Sequence, residues 1–246
     1  MQRLKNICRK ISISPLTGLY TLLIIVCGLY HEYLMIFSIV IFHECCHMLM
    51  AYYLKFEIHK VEILPFGAYL ELNDFYQHSL SEELCVILAG PLSHIIIYAV
   101  IYLCVNESLQ LEMMTMNVFI FIFNLLPIYP LDGSRIVGIL LQGIMDLQRA
   151  LYLQLKISVL MLCVVLIFSL RISSVFIFMY LFYEQFLFLK MIPTILRKCF
   201  ICLDEGKEVI LHHNYTYRRG KKNYYMSNGK IYDAFHFYKM LLKSIK

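Results

Sequence analysis

Residues 33–54 read YLMIFSIVIFHECCHMLMAYYL, with His43-Glu44-Cys45-Cys46-His47 in the second half of the run. A helix rises about 1.5 Å per residue, so an apolar segment of this length crosses a hydrocarbon core about 30 Å thick. Residues four apart share one helix face. His43 and His47 can therefore bind one Zn²⁺, while Glu44 is turned about 100° away and can reach a water at the metal. Ionisable groups are costly inside a bilayer and mark cavities or pathways there. Two histidines and a glutamate satisfying one another in a helix bundle would be the bland alternative, but it gives no reason for this spacing.

The rest of the chain supports a membrane setting. It has 246 residues, 60% hydrophobic and 16% charged, with a net charge of +5. Soluble domains carry about 25% charged residues. A single soluble domain, a disordered chain and a nucleic-acid binder are all disfavoured, since the last two need low hydrophobicity or a basic face. Apolar runs lie at 16–30, 33–54, 84–105, 113–131, 151–170 and 173–190. The first follows Arg3, Lys5, Arg9 and Lys10 without a small-residue cleavage site, and so reads as an uncleaved anchor. Basic residues fall at the amino terminus and after the second, fourth and sixth runs, with Arg171 as the exception, which predicts both termini in the cytoplasm.

The fold expected is an all-α polytopic membrane protein with six transmembrane helices. A small membrane-associated β-hairpin is expected between helices 2 and 3, because residues 57–72 alternate around Leu64-Pro65-Phe66-Gly67. Arg135, Gln142, Asp146 and Arg149 form a polar stripe, read as an interfacial helix or the start of the fifth span. Residues 1–196 form the membrane domain and 197–246 a basic cytoplasmic tail. The tail balances +7 and the preceding 196 residues −2. Anionic lipid or an acidic soluble partner would attract such a tail. Gly206, Gly220 and Gly229 argue against a continuous helix there, whereas residues 231–245 suit a closing amphipathic one.

Cys27, Cys45, Cys46, Cys85, Cys104 and Cys163 read as small buried hydrophobes. Cys199 and Cys202 read as reduced thiols, because one C-x-x-C supplies half of a four-ligand zinc site. His94 reads as a packing histidine and His212 and His213 as solvated tail residues. Glu184, in the sixth run, suits either a functional role or contact with water near the cytoplasmic end.

Catalytic zinc takes three protein ligands and leaves a position for water. Asp132 is the best third candidate. It follows Pro127 and Pro130 and precedes Gly133, at a break tolerated at membrane depth where it lines a polar cavity; an ordinary helix-ending turn is the alternative. Depth restricts this choice: a helix from residue 33 puts His43 about 15 Å deep, and an unbroken helix from 113 puts Asp132 about 28 Å deep. The second span must start nearer Gly28, the segment through Pro127 and Pro130 must turn back, or both.

Together, His43-Glu44-x-x-His47, Gly67-Ala68, Ala89-Gly90-Pro91-Leu92 and the segment from Asn124 to Gly133 resemble the site-2 protease family of intramembrane zinc metalloproteases, peptidase family M50. The resemblance covers about the first 195 residues and is strongest to members acting in endospore formation. It implies His43, His47 and Asp132 as ligands of one zinc per chain, Glu44 as the catalytic carboxylate, and Asn124 lining the cavity. It also implies an extended substrate pairing with a strand near Gly67. The implied activity is regulated proteolysis of a membrane-associated protein near the cytoplasmic face, in a cell or forespore membrane. A sporulation pro-sigma factor is the implied substrate, and membrane proteins the implied inhibitors; nucleic acid is not a partner. Ser134 stands where the family commonly has a second glycine, and the tail carries no sequence assignable to a nucleotide-sensing CBS domain. A divalent-metal transporter or sensor, or an inactive membrane scaffold, would use the same residues without needing Glu44.

Overall fold

The computed structural model describes residues 11–13, 15–28, 30–64, 67–168, 175–201, 209–212, 216–227, 229–233, 236–237 and 240. It is mostly helical: α1 (Pro15–Val26), α2 (Tyr30–Tyr53), α3 (Leu80–Cys104), α4 (Glu107–Asn124), α5 (Asp132–Ile144), α6 (Leu147–Phe168) and α7 (Val175–Ile201). Helices α2, α3 and α6 are long and apolar enough to cross a membrane, so three of the six expected spans have this support. The first run forms a helix of 12 residues, about 18 Å long and short of the core thickness. Leu103, Leu160 and Ile167 are exposed on these helices, as are Cys85, Cys104 and Cys163. With Cys27 exposed too and Cys45 and Cys46 half-buried, the expectation that these six cysteines are buried is corrected.

The all-α expectation is corrected by two three-stranded sheets. The first joins β1 (Ile11–Ile13), β2 (Ile58–Leu64) and β3 (Gly67–Leu72) in that order. The expected hairpin is its antiparallel β2–β3 pair, closing at Leu64 opposite Gly67; Pro65 and Phe66 lie outside the described residues. The third strand was not expected. β1 lies parallel to β2, with Ile11 opposite Val61, although 50 residues separate them.

Residues 1–75 and 85–125 form one compact unit. α2 ends in a Schellman turn: Lys55 has φ 64°, its N–H donates to the Tyr52 carbonyl, and the Phe56 N–H donates to that of Ala51. The turn buries Phe56 beside Ala51 and Val86, under Leu70, Leu72 and Phe75. A second cluster, Ile39, Ile97 and Ile101 with Met113 and Met116, packs α2, α3 and α4.

Residues 76–84 and 126–246 form the other unit. Its core contains Leu147, Leu151, Phe188, Ile192 and Ile195, and Tyr217 from the tail joins it. α5 is a separate helix ending before Met145, so Arg135 and Gln142 of the polar stripe lie on it and Arg149 on α6; Gln142 is buried. The tail builds the second sheet, β4 (Val209–His212), β5 (Lys222–Ser227) and β6 (Lys230–Asp233). Residues 231–233 are therefore strand, not the start of the expected helix, although His236, Phe237 and Met240 are helical.

Asn223 organises this sheet. Its Oδ1 accepts from His212 Nε2 at 2.8 Å and from the Arg218 N–H at 2.9 Å, while its amide donates to the Arg218 and Lys221 carbonyls. His212 is buried and stacks on Tyr225, which corrects its reading as a solvated residue; His213 and Cys202 lie outside the described residues. Arg219 is buried too. It donates to both carboxylate oxygens of Glu83, to Gln142 Oε1 at 2.7 Å and to the His78 carbonyl at 2.8 Å.

Candidate metal centre

α2 begins at Tyr30, two residues after Gly28 turns the chain with φ 75°, so it starts earlier than residue 33, as the depth argument requires. His43 and His47 meet edge to face on it with ring centroids 4.7 Å apart, and both are buried. His47 Nδ1 lies 2.8 Å from the Val86 carbonyl, an acceptor only, so this nitrogen carries the proton and donates. In the neutral ring Nε2 then bears the lone pair. His43 Nδ1 faces His94 Nε2 at 3.1 Å, and the remaining nitrogens, His43 Nε2 and His47 Nε2, are 3.1 Å apart.

That spacing suits a shared cation. Two nitrogens on a tetrahedral zinc at about 2.0–2.1 Å are about 3.3–3.4 Å from each other. Gly90 tightens the test: a Cβ there would lie 2.1 Å from His47 Nε2 and 2.7 Å from His43 Cε1. The helix face opposite the imidazoles is therefore bare backbone where the two rings meet, beside Pro91, whose missing N–H loosens the turn. Glu44, next on α2, is half-buried.

Asp132 belongs to the other unit. The run expected as one helix through residue 131 ends at Asn124, and Asp132 is the first residue of α5. The connecting segment is held by polar groups inside its own unit. The Tyr129 N–H donates to Ser158 Oγ at 2.7 Å, Ser158 donates to Gln185 Oε1, and Gln185 Nε2 donates to the Tyr129 carbonyl at 2.6 Å. Pro127 and Pro130 are half-buried, and Asp132, Gly133 and Ser134 are buried. Gln154 donates to both the Ser134 carbonyl and hydroxyl, so the serine in place of a glycine is absorbed by a hydrogen bond.

His43, His47 and Asp132 are thus all buried, and each offers one ligand atom. Two imidazole nitrogens and a carboxylate are the donor chemistry that zinc favours. Asn124 is half-buried at the end of α4, and Gly67 opens β3. Glu184 is half-buried beside Gln185. Sequence reasoning passed over Gln154, Ser158 and Gln185, although uncharged polar residues inside apolar runs were the available signal.

The structure resembles the site-2 protease from Methanocaldococcus jannaschii, with a TM-score of 0.56 and 22% identity, over 71% of this chain and 88% of that one. Stage IV sporulation protein FB of Bacillus subtilis (strain 168) is 32% identical over 191 residues, 74% of this chain; the matched region spans 66% of that relative's length. The model of peptidase family M50 matches residues 31–111 and 106–170, the stretch holding both histidines, Glu44 and Asp132, and the chain belongs to that family.

Proposed function

We propose that this chain is a zinc-dependent intramembrane endopeptidase that cleaves a membrane-associated protein near the cytoplasmic face. The observation carrying the proposal is the pair of histidine Nε2 atoms 3.1 Å apart, with glycine where a side chain would collide with both rings. His43, His47 and Asp132 would hold the ion. Bound there, zinc supplies the Lewis acid that polarises a scissile carbonyl and lowers the pKa of water towards about 7. Glu44 takes the proton from the attacking water and returns it to the leaving amine nitrogen, so the amide bond breaks as the carbonyl carbon gains the oxygen.

The six-span arrangement with cytoplasmic termini, the membrane domain at 1–196 and a cavity lined by Asn124 belong to the same proposal. β3 is paired with β2, and the sheet order places it at an edge among the described residues. An extended substrate adding there near Gly67 would expose peptide bonds that a helix conceals. The likeness to a sporulation protein supports a pro-sigma factor as substrate, membrane proteins as inhibitors, and the membrane of an endospore former as the location.

Co-expression with membrane-tethered pro-sigma precursors tests the proposal. Gel mobility should reveal a shortened product with the native chain and none with Glu44→Gln. An equal product from both would overturn the protease reading in favour of a metal carrier or scaffold.

A further inference from the structure

His94 and Asn117 are polar residues packed into the histidine cluster, and both are buried, at 4% and 2% exposure. They link three helices of one unit. His43 lies on α2, His94 on α3 and Asn117 on α4. Asn117 Nδ2 donates to the His94 backbone carbonyl at 3.1 Å, which fixes the orientation of its amide. Its Oδ1 must then be the atom 2.7 Å from His94 Nδ1. An amide oxygen only accepts, so His94 carries its proton on Nδ1 and presents a lone pair at Nε2. That lone pair faces His43 Nδ1 at 3.1 Å, which must donate. The proton of His43 is thereby held on Nδ1, and its Nε2 lone pair is left pointing towards His47 Nε2.

We propose that His94 and Asn117 are positioning residues that set the tautomer and ring orientation of His43, so that its Nε2 is ready to ligate zinc. The inference rests on the zinc reading above and deepens it. Its logic is a contrast between the two ligands. His47 is held by a backbone carbonyl, which can only accept. His43 is held by a second imidazole, which either accepts or donates, so the arrangement is defined only when Asn117 removes the ambiguity. Without the amide oxygen, His94 can carry its proton on Nε2 and donate to His43 Nδ1. The His43 proton then moves to Nε2, where it blocks ligation. Outer partners of this kind change metal affinity by about 10–100-fold when mutated. The Phe121 ring, 5.6 Å from that of His94, covers the relay on one side.

The test is zinc affinity of the full chain in detergent micelles, measured by competition with a chromophoric chelator. A Glu44→Gln background makes the readout independent of catalysis. Asn117→Asp keeps the acceptor and should bind zinc as tightly as the parent or more so. Asn117→Leu removes it at similar volume and should bind about 10–100-fold more weakly. A packing role predicts the reverse order, because leucine suits an apolar site and a buried carboxylate does not; that order, or equal affinities, overturns the proposal. If Asn117→Leu does not fold, His94→Gln against His94→Leu poses the same question, since only glutamine can accept from His43, and equal affinities again refute the relay. A parent chain that binds no zinc, with His47→Ala making no difference, would remove the metalloprotease reading itself.

Discussion

Two buried polar clusters solve opposite problems. In the unit containing the tail, every hydrogen of Arg219 described above meets an acceptor: Glu83, Gln142 or the His78 carbonyl. Charge and donors are matched, so the cluster is complete as it stands. In the unit containing α2 to α4, hydrogen bonds to Val86 and His94 fix the outer nitrogens of His47 and His43 and turn two lone pairs towards each other. That arrangement suits a cation shared between the two nitrogens. Burial of polar groups is common to both; one cluster pairs opposite charges, whereas the other orients imidazole nitrogens.

The largest effects should come from removing the acceptors. His47→Ala should reduce zinc from one per chain to none and cleavage to background, with helix content by circular dichroism unchanged. Chelation followed by zinc addition should reproduce the loss and its reversal in the native chain. Gly90→Ala should act similarly, because its methyl group would collide with His47 Nε2 and the His43 ring. A folded Gly90→Ala chain with native zinc content would break the contrast between the clusters.

Glu44→Gln separates chemistry from binding. Zinc content should stay at one per chain while turnover falls by about 10²–10⁴-fold, the usual contribution of a positioned proton-transfer group. Retained turnover would assign the histidines to transport or sensing.

The opposite signature is expected at the complete cluster. Arg219→Met leaves Glu83, fully buried, without its guanidinium. Breaking such a pair from one side costs about 3–5 kcal/mol, whereas replacing both partners by apolar groups is often neutral. Thermal unfolding in detergent should therefore show Glu83→Leu with Arg219→Met to be more stable than Arg219→Met alone. Zinc bound per folded molecule should not change in either. Parallel losses of zinc and stability would erase the distinction between a structural and a ligand-binding cluster.

What could be read from the sequence divides along the same physical line. His43, Glu44 and His47 are legible because four-residue spacing is a local property of a helix, and the β2–β3 pair because its strands alternate on both sides of a two-residue connection. Asp132 was legible as a candidate because prolines and a glycine mark a helix break. The Arg219–Glu83 pair was not, since 136 residues separate its members and no local period connects them. The three residues of β1 carry too little alternation to announce a strand. In the tail, β5 buries Asn223 and Tyr225 on one face; the asparagine, serving as a hydrogen-bond hub, interrupts the apolar alternation by which a strand is recognised. His94 looked like packing because its value lies in partners on two other helices.

The smallest effect isolates the region around Asp132. Gly138 on α5 resembles Gly90 in having no room: a Cβ would lie 2.3 Å from Gln154 Oε1. The obstructing atom, however, is the end of a flexible side chain, and it can move if it gives up its bonds to the Ser134 carbonyl and hydroxyl. Gly138→Ala should therefore cost about 1–3 kcal/mol in thermal stability, the range for an overpacked helix contact and a displaced hydrogen bond. Gln154→Leu in the same background should make the two substitutions non-additive, because the contact that resists the methyl group is then already gone. Additive losses would mean that Gln154 is not what the glycine accommodates. Zinc weakened as strongly as by Gly90→Ala would show that the first turn of α5 is held for Asp132, and would bring this region into the ligand-binding class.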